Sequence, residues 1–138
     1  MKPPQCLVLL PHDAGAARVR DTVSRALRTN GIEPITLESE LGPGALWVDH
    51  LSALLRSVDF VIADVSRKNP NVLFELGVAH GLGKPIVLLL NAEGGAATLP
   101  SDLMGFQALV YDPADLGPLA TRLDRTVPLV ASRMVQLR

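Results

Sequence analysis

An apolar run that leads into a helix start, near the middle of the chain, constrains the fold most. Phe60-Val61-Ile62-Ala63 has the length and composition of a strand buried on both faces, which is typical of parallel sheets. Asn69-Pro70 then predicts the start of a helix, because asparagine caps helix N-termini and proline suits the first helical position. A buried strand that continues directly into a helix is the repeating unit of an α/β protein.

The rest of the chain repeats this alternation. Strands are predicted over residues 6–10, 32–37, 59–65, 85–90 and 107–111, and helices over 16–30, 45–57, 70–83 and 113–125. Residues 127–138 either continue the last helix past Pro128 or pack on a partner. Pro34 places the second strand at an edge of the sheet. We therefore predict one α/β domain over residues 1–138, with a flavodoxin- or Rossmann-like, doubly wound parallel sheet of five strands in the order 2-1-3-4-5.

Composition limits the class of function. The net charge is −1 and aromatic residues make up only 4% of the chain, so neither a basic footprint nor base-stacking platforms for nucleic acid are indicated. Apolar runs are much shorter than a membrane span, and the N-terminus lacks the apolar core of a signal peptide. The single cysteine, Cys6, fits a reducing compartment and is expected in the core. We expect a cytoplasmic protein with no nucleic-acid or membrane partner.

Glu75 is the one charged residue in an otherwise apolar helix. From Val72 to Ala79 every other residue is apolar or glycine, and no basic residue stands three or four positions from it. A buried carboxylate is costly unless it is compensated, so Glu75 faces solvent, meets a remote partner or lies in a cleft. Its place near a helix start, just beyond the carboxyl end of a strand, favours the cleft, because open α/β sheets bind ligands there.

The same part of the chain resembles a known superfamily. The resemblance rests on Asp59 to Val65, on Asn69 to His80 with its Glu-Leu-Gly turn, and on Gly83-Lys84-Pro85. These motifs resemble the signature of the nucleoside 2-deoxyribosyltransferase-like superfamily, which includes deoxynucleoside-monophosphate N-glycosidases and small TIR-like bacterial proteins. The resemblance implies that Glu75 attacks the anomeric carbon of a nucleoside or nucleotide. The three histidines lack metal-ligand spacing, and we expect neither a metal nor a cofactor.

Other polar residues are candidates for the same site. Asp64, at the end of strand three, is a candidate for orienting the sugar or for perturbing Glu75 by like charge; a loop or capping aspartate is the alternative. Asn69 and Asn71 are candidates for holding a sugar or phosphate, with helix capping as the alternative, favoured for Asn69.

Three further candidates come from neighbouring segments. The resemblance implies an aspartate that faces the base or sugar near Asp49, although a solvated helix face is the favoured interpretation of that residue. His12 and Asp13 follow strand one, next to the predicted switch point between strands one and three, and either hold substrate or belong to a surface loop.

Three functions remain open. The first is N-glycosidic cleavage of a nucleoside or nucleotide, by hydrolysis or deoxyribosyl transfer. The second is a TIR-like module that cleaves NAD or senses nucleotides in bacterial signalling or defence, and the third is a non-catalytic nucleotide-binding or interaction domain. Asn69 stands where the transferases carry an acid, and Pro11-His12 where several carry an aromatic residue; the only tyrosine is Tyr111. These departures favour hydrolysis, an unusual nucleotide or binding over base exchange.

Two expectations concern surfaces. The glycine-rich residues 91–98 follow a central strand on the ligand side and are expected to form a mobile lid. Helices 45–57 and 70–83 are more apolar than one sheet face requires, so we expect a homodimer or larger assembly with the cleft near the interface.

Overall fold

The computed structural model describes residues 2–11, 15–37, 47–66, 69–92 and 108–136. Strands and helices alternate along them: β1 (Gln5–Leu9), α1 (Ala16–Thr29), β2 (Glu33–Ile35), α2 (Trp47–Ser57), β3 (Phe60–Asp64), α3 (Pro70–Gly81), β4 (Ile86–Asn91), β5 (Ala108–Tyr111) and α4 (Gly117–Gln136). The five strands form one parallel sheet in the order β2-β1-β3-β4-β5. The predicted fold class and strand order are confirmed.

Helices cover both faces of the sheet. On one face α1 and α4 pack in a cluster that includes Val23 and Leu123, which we call the α1/α4 core. On the other face α2 and α3 pack in a cluster that includes Leu51 and Leu76, which we call the α2/α3 core. The side chains of β3 are buried at every position, because this central strand contributes to both cores. This is why its sequence is continuously apolar up to the final Asp64.

β2 is an edge strand, as Pro34 predicts. It has three residues and pairs with β1, with Cys6 opposite Pro34. The N–H of Glu33 donates to the carbonyl of Pro4 at 2.8 Å, so the N–H groups of β2 that point toward β1 belong to positions 33 and 35. Position 34 points away from the sheet, and the missing N–H of proline therefore costs no ladder hydrogen bond. The strand is shorter than the predicted 32–37.

The predicted start of the last helix was wrong. α4 begins at Gly117 and not at residue 113. Asp112 Oδ1 accepts a hydrogen bond from the N–H of Ala114 at 2.9 Å, and Asp115 Oδ1 accepts one from the N–H of Gly117 at 3.2 Å. Aspartate side chains that bond the backbone two residues ahead stabilise turns in competition with helix, which delays the helix start.

The first of the two alternatives for the C-terminal residues is confirmed as far as residue 136. The helix continues past Pro128 to Gln136, and packing on a partner stays a prediction. Proline removes the N–H that would bond the carbonyl of Asp124. Asp124 and Pro128 are both exposed, so water can donate to that carbonyl in place of the missing N–H, and the helix is not interrupted.

No helix among the described residues is both long enough and apolar enough to cross a membrane.

The Gly83-Lys84-Pro85 motif joins α3 to β4 and has a structural role. Gly83 adopts a φ of 74°, which other residues adopt only with strain. The ammonium group of Lys84 donates to the carbonyl of Val58 at 2.8 Å and to that of Arg56 at 3.3 Å. These carbonyls lie at the C-terminal end of α2, where a cation is favourable. The motif thus supports the scaffold at the amino edge of the sheet.

Cys6 is completely buried in β1, and this burial raises the pKa of its thiol well above the ordinary value. We expect native protein to resist a thiol-specific reagent and to react fully in denaturant, because the reactive form is the exposed thiolate. Because the thiol pKa is higher in the folded state, the thiol of the unfolded chain ionises first as the pH rises, and this favours unfolding. The contribution of Cys6 to the free energy of unfolding is therefore complete below the unfolded pKa of about 8.5 and is lost as the pH rises above it. Unfolding free energies of wild type and Cys6→Ala across that pH range test the stability prediction. Rapid labelling of native protein would contradict the predicted burial of the thiol.

Candidate active site

α3 begins at the carboxyl edge of the sheet with an asparagine cap. Asn69 Oδ1 accepts hydrogen bonds from the N–H of Asn71 at 2.9 Å and of Val72 at 3.3 Å, and Pro70 occupies the first turn. The capping interpretation of Asn69 is confirmed, because the helix uses its side-chain oxygen. Asn71 is exposed beside this cap, and its contact with substrate remains a prediction.

Glu75 is buried in spite of its charge. Only 8% of the residue is exposed, and it lies among the buried positions of α3 with Val72, Leu76 and Ala79. Those three side chains pack in the α2/α3 core. The interpretation of Glu75 as a solvent-facing surface residue was therefore wrong. Glu75 is the sixth of the twelve residues of α3, beyond the first turn, and its neighbours on the helix belong to an apolar core.

Asp64 is also buried, but it belongs to the other face of the sheet. Along β3 the side chain of Ile62 enters the α1/α4 core and that of Ala63 enters the α2/α3 core. Strand alternation then directs Asp64 toward the α1/α4 side, whereas Glu75 approaches from the α2/α3 side. This arrangement gives no support to the hypothesis that Asp64 perturbs Glu75 by like charge.

Both carboxylate oxygens of Asp64 are hydrogen-bonded. Oδ1 accepts from the N–H of Ser66 at 2.9 Å and also from the Ser66 hydroxyl. Oδ2 accepts from the hydroxyl of Tyr111 at 2.5 Å. Ser66 Oγ in turn accepts from the N–H of Asn91 at 2.7 Å. We call Asp64, Ser66, Asn91 and Tyr111 the polar clasp; it joins the carboxyl ends of β3, β4 and β5.

Three members of the polar clasp were not predicted as site residues. Ser66 carries a local signal, since a serine two residues after an aspartate commonly bonds back to it. Asn91 is the last residue of β4 and Tyr111 is the last residue of β5. They lie near Asp64 only because of the register in which β3, β4 and β5 pair. A tyrosine at the end of a buried strand was the available signal, because a buried hydroxyl requires a partner.

The remaining candidates stay predictions. Asp49 is exposed in the first turn of α2, at the carboxyl edge. His12 and Asp13 lie outside the described residues, as does the proposed lid beyond Ala92. The structure therefore places Glu75, Asn71 and Asp49 on the two helices of one sheet face and assigns Asp64 to a network at the sheet's carboxyl edge.

Comparison with known proteins shows the family. Residues 8–113 match the family described as CAP12/Pycsar effector protein, TIR domain. The chain is 33% identical over 97 residues to the 5-hydroxymethyl-dUMP N-hydrolase of Rattus norvegicus, with 68% of this chain and 58% of that protein covered. The chain thus spans less than two thirds of the length of this curated relative.

Two solved structures show the same fold at low identity. The CMP N-glycosidase of Clostridium botulinum superposes with a TM-score of 0.63 at 17% identity, covering 87% of this chain and 98% of that one. The 2-deoxyribosyltransferase of Bacillus psychrosaccharolyticus gives a TM-score of 0.59 at 14% identity, covering 84% of this chain and 90% of that one. These matches support the resemblance to the nucleoside 2-deoxyribosyltransferase-like superfamily that the central motif indicates. With residues 8–113 matched, the chain belongs to the CAP12/Pycsar effector TIR-domain family.

Proposed function

We propose that this protein cleaves the N-glycosidic bond of a nucleoside or nucleotide, with Glu75 as the carboxylate that attacks or stabilises the anomeric carbon. The observation that carries the proposal is the burial of Glu75 in α3, within a run from Val72 to Ala79 whose other residues are apolar or glycine, in a helix that begins at the carboxyl edge of the sheet. The rat relative is named as an N-hydrolase of a deoxynucleoside monophosphate, and one fold neighbour is named as a CMP N-glycosidase. Both names describe this class of bond.

The reaction requires few groups from the protein. As the bond between C1′ and the base nitrogen breaks, the base leaves with the electron pair and takes up a proton, and positive charge develops on C1′ and the ring oxygen. The Glu75 carboxylate either bonds to C1′, giving a glycosyl ester that water later hydrolyses, or stabilises the cation while water adds. Hydrolysis then yields the free base and the sugar or sugar phosphate.

Substrate contacts are proposed for residues around the same edge. Asn71 follows the α3 cap and is exposed, so its amide can donate to a phosphate or sugar hydroxyl. Asp49, in the first turn of α2, is proposed to accept hydrogen bonds from the base or sugar. His12 and Asp13 follow β1 in the sequence, next to the switch point of the strand order, and are proposed to hold the substrate from the other side.

Cleavage of NAD is a second candidate function. The match to a TIR-domain family favours it, and the bond between nicotinamide and ribose is also N-glycosidic. Glu75 would have the same role in both reactions. The two functions differ in the substrate that the carboxyl edge accommodates.

Product analysis by mass spectrometry distinguishes these functions. The protein is incubated separately with nucleosides, ribo- and deoxyribonucleoside monophosphates including 5-hydroxymethyl-dUMP, and NAD, with Glu75→Gln as the control. Release of a free base from a nucleoside or nucleotide supports the proposed function, and release of nicotinamide supports the second. Addition of a different free base tests transfer, because a new nucleoside would then form. Binding measured by thermal shift without any product would leave only a non-catalytic ligand-binding domain.

We also propose a homodimer that uses the α2/α3 side of the molecule. Val48 on α2 and Phe74 on α3 are 50% and 48% exposed, which is unusual for large apolar side chains on helices that cover the same face. Light scattering at micromolar concentration is expected to give the mass of two chains, and Phe74→Glu the mass of one. Leu129→Glu, on α4 and 65% exposed, is the matched control and should remain dimeric. A single-chain mass for wild type would contradict the proposal.

A further inference from the structure

We propose that Tyr111 is a positioning residue for this reaction, which acts through the polar clasp and without touching the substrate. The inference rests on the proposed function, since it concerns the placement of Glu75. It starts from the fact that Asp64 is a carboxylate with only 4% exposure at the end of the central strand. Such a group is destabilising unless hydrogen bonds compensate its charge.

Tyr111, on β5, supplies one of these hydrogen bonds to Asp64, on β3, across the intervening strand β4. Asp64 is paired with Leu89 of β4, Leu89 is paired with Leu109 of β5, and Tyr111 lies two residues beyond Leu109. The phenol therefore reaches across β4 to meet the carboxylate of β3. Its ring is buried in the α1/α4 core, where phenylalanine would fill the same space. The hydroxyl is what distinguishes tyrosine at this position, and its partner is Asp64.

The polar clasp holds Ser66, where the chain leaves β3, three positions before the cap of α3. The turn after β3 is fixed by Ser66, whose N–H and hydroxyl both bond Asp64, and three residues later Asn69 caps the helix that carries Glu75. Ser66 Oγ also accepts the N–H of Asn91, at the end of β4. The carboxyl ends of β3 and β4 are thus linked through the Ser66 hydroxyl, which also bonds Asp64.

Placement of this kind affects rate more than ground-state binding. Attack on C1′ depends on where the Glu75 carboxylate lies relative to the sugar, and a displacement of about 1 Å can cost roughly 100-fold in rate. Loss of the Tyr111 hydroxyl frees one oxygen of Asp64 and loosens its hold on Ser66. The residues that contact the substrate are unchanged, so the Michaelis constant should change much less than kcat.

The kinetic test compares Tyr111→Phe with variants of its partners. We expect Tyr111→Phe to lower kcat by about 10- to 100-fold, in the range seen for supporting groups of active sites, with KM within about threefold of wild type. In an Asp64→Asn background the same change should have little further effect, because Tyr111 acts through that carboxylate. Ser66→Thr, which keeps the hydroxyl, should retain more activity than Ser66→Ala. This pair replaces the tyrosine variant if Tyr111→Phe does not fold.

Two readouts do not depend on turnover. Tyr111 is the only tyrosine of the chain, and the single tryptophan is common to wild type and variant. The tyrosine bands of an ultraviolet difference spectrum therefore report on Tyr111, and Asp64→Asn should shift them by weakening the hydrogen bond. In Tyr111→Phe, hydrogen exchange should become faster at the amides of Ser66, Asn91 and Val72. A merely local packing role would leave the exchange of these amides unchanged.

The results separate failure of this inference from failure of the proposed function. A wild-type protein that cleaves no nucleoside, nucleotide or NAD overturns the proposed function and the positioning role together. If wild type is active and Tyr111→Phe has the same kcat, the positioning role alone is overturned. It is also overturned if the loss of activity in Tyr111→Phe merely equals the fraction of that variant that is unfolded. Reduced kcat in folded protein, with faster exchange at the three amides, supports it.

Discussion

Glu75→Gln is expected to lower kcat by about 10³-fold or more, which is the scale of loss when a catalytic group is removed. Glutamine has nearly the same shape, so the buried site of Glu75 should remain filled and the fold intact. The amide, however, can neither bond to C1′ as a carboxylate does nor neutralise the charge that develops there. Release of free base per unit time measures the loss, and thermal unfolding with circular dichroism verifies the fold.

Glu33→Gln is the matched control for this substitution. It makes the same chemical change on an exposed residue of β2, away from the carboxyl edge. We expect its activity to equal that of wild type. Near-full activity of Glu75→Gln would overturn the catalytic assignment. A Glu75→Gln protein that fails to fold would instead indicate that the buried carboxylate has a structural partner.

Phe60→Ala is expected to have the largest effect on stability. Phe60 is the first residue of the central strand and has 0% exposure in the α1/α4 core. Truncation of a buried phenylalanine to alanine typically costs about 3–5 kcal/mol, from lost transfer free energy and the cavity that remains. Because whole domains are stable by only about 5–15 kcal/mol, the variant should be marginally folded. Denaturant unfolding followed by circular dichroism measures the difference.

Phe74→Ala on α3 is the control that distinguishes the effect of burial from the effect of replacing a phenylalanine by alanine. Phe74 is 48% exposed, so Phe74→Ala should change the free energy of unfolding by less than about 1 kcal/mol, and alanine's higher helix propensity offsets part of any loss. A loss at Phe60 as small as that expected at Phe74 would show that Phe60 is not the core residue that the structure indicates. The comparison is made at a protein concentration where light scattering gives the mass of one chain, because loss of the proposed dimer contact would otherwise add to the effect of Phe74→Ala.

The topology was predictable because a few residues carry unambiguous local signals. The continuous apolar run that starts at Phe60 requires cover on both faces, and Pro34 excludes a central place for its strand. Asn69-Pro70 marks the helix start correctly, because cap and proline act on the same turn. The start of α4 was misplaced, because the apolar pattern of residues 113–125 says nothing about the side-chain bonds of Asp112 and Asp115 that delay it.

The candidate site was predictable only in part. Glu75 was found because one charge in an apolar helix is a local anomaly, and its burial was the feature that the sequence left open. The hydrogen bond between Asp64 and Tyr111 could not be predicted, since the two residues are 47 positions apart and meet only across a third strand. Long-range polar pairs leave no periodicity in the sequence. They become visible only when the register of the sheet is known.

The proline in β2 also affects whether another chain can add a strand at this edge of the sheet; β5 forms the other edge. A parallel or antiparallel strand from another chain can extend a sheet only if the open edge offers N–H donors as well as carbonyl acceptors. In β2 the outward-facing residue is Pro34, while Glu33 and Ile35 direct their N–H groups toward β1. The outer side of this strand therefore offers an acceptor and no donor. Templated strand addition, the first step toward amyloid-like stacking, is blocked there by a single ring.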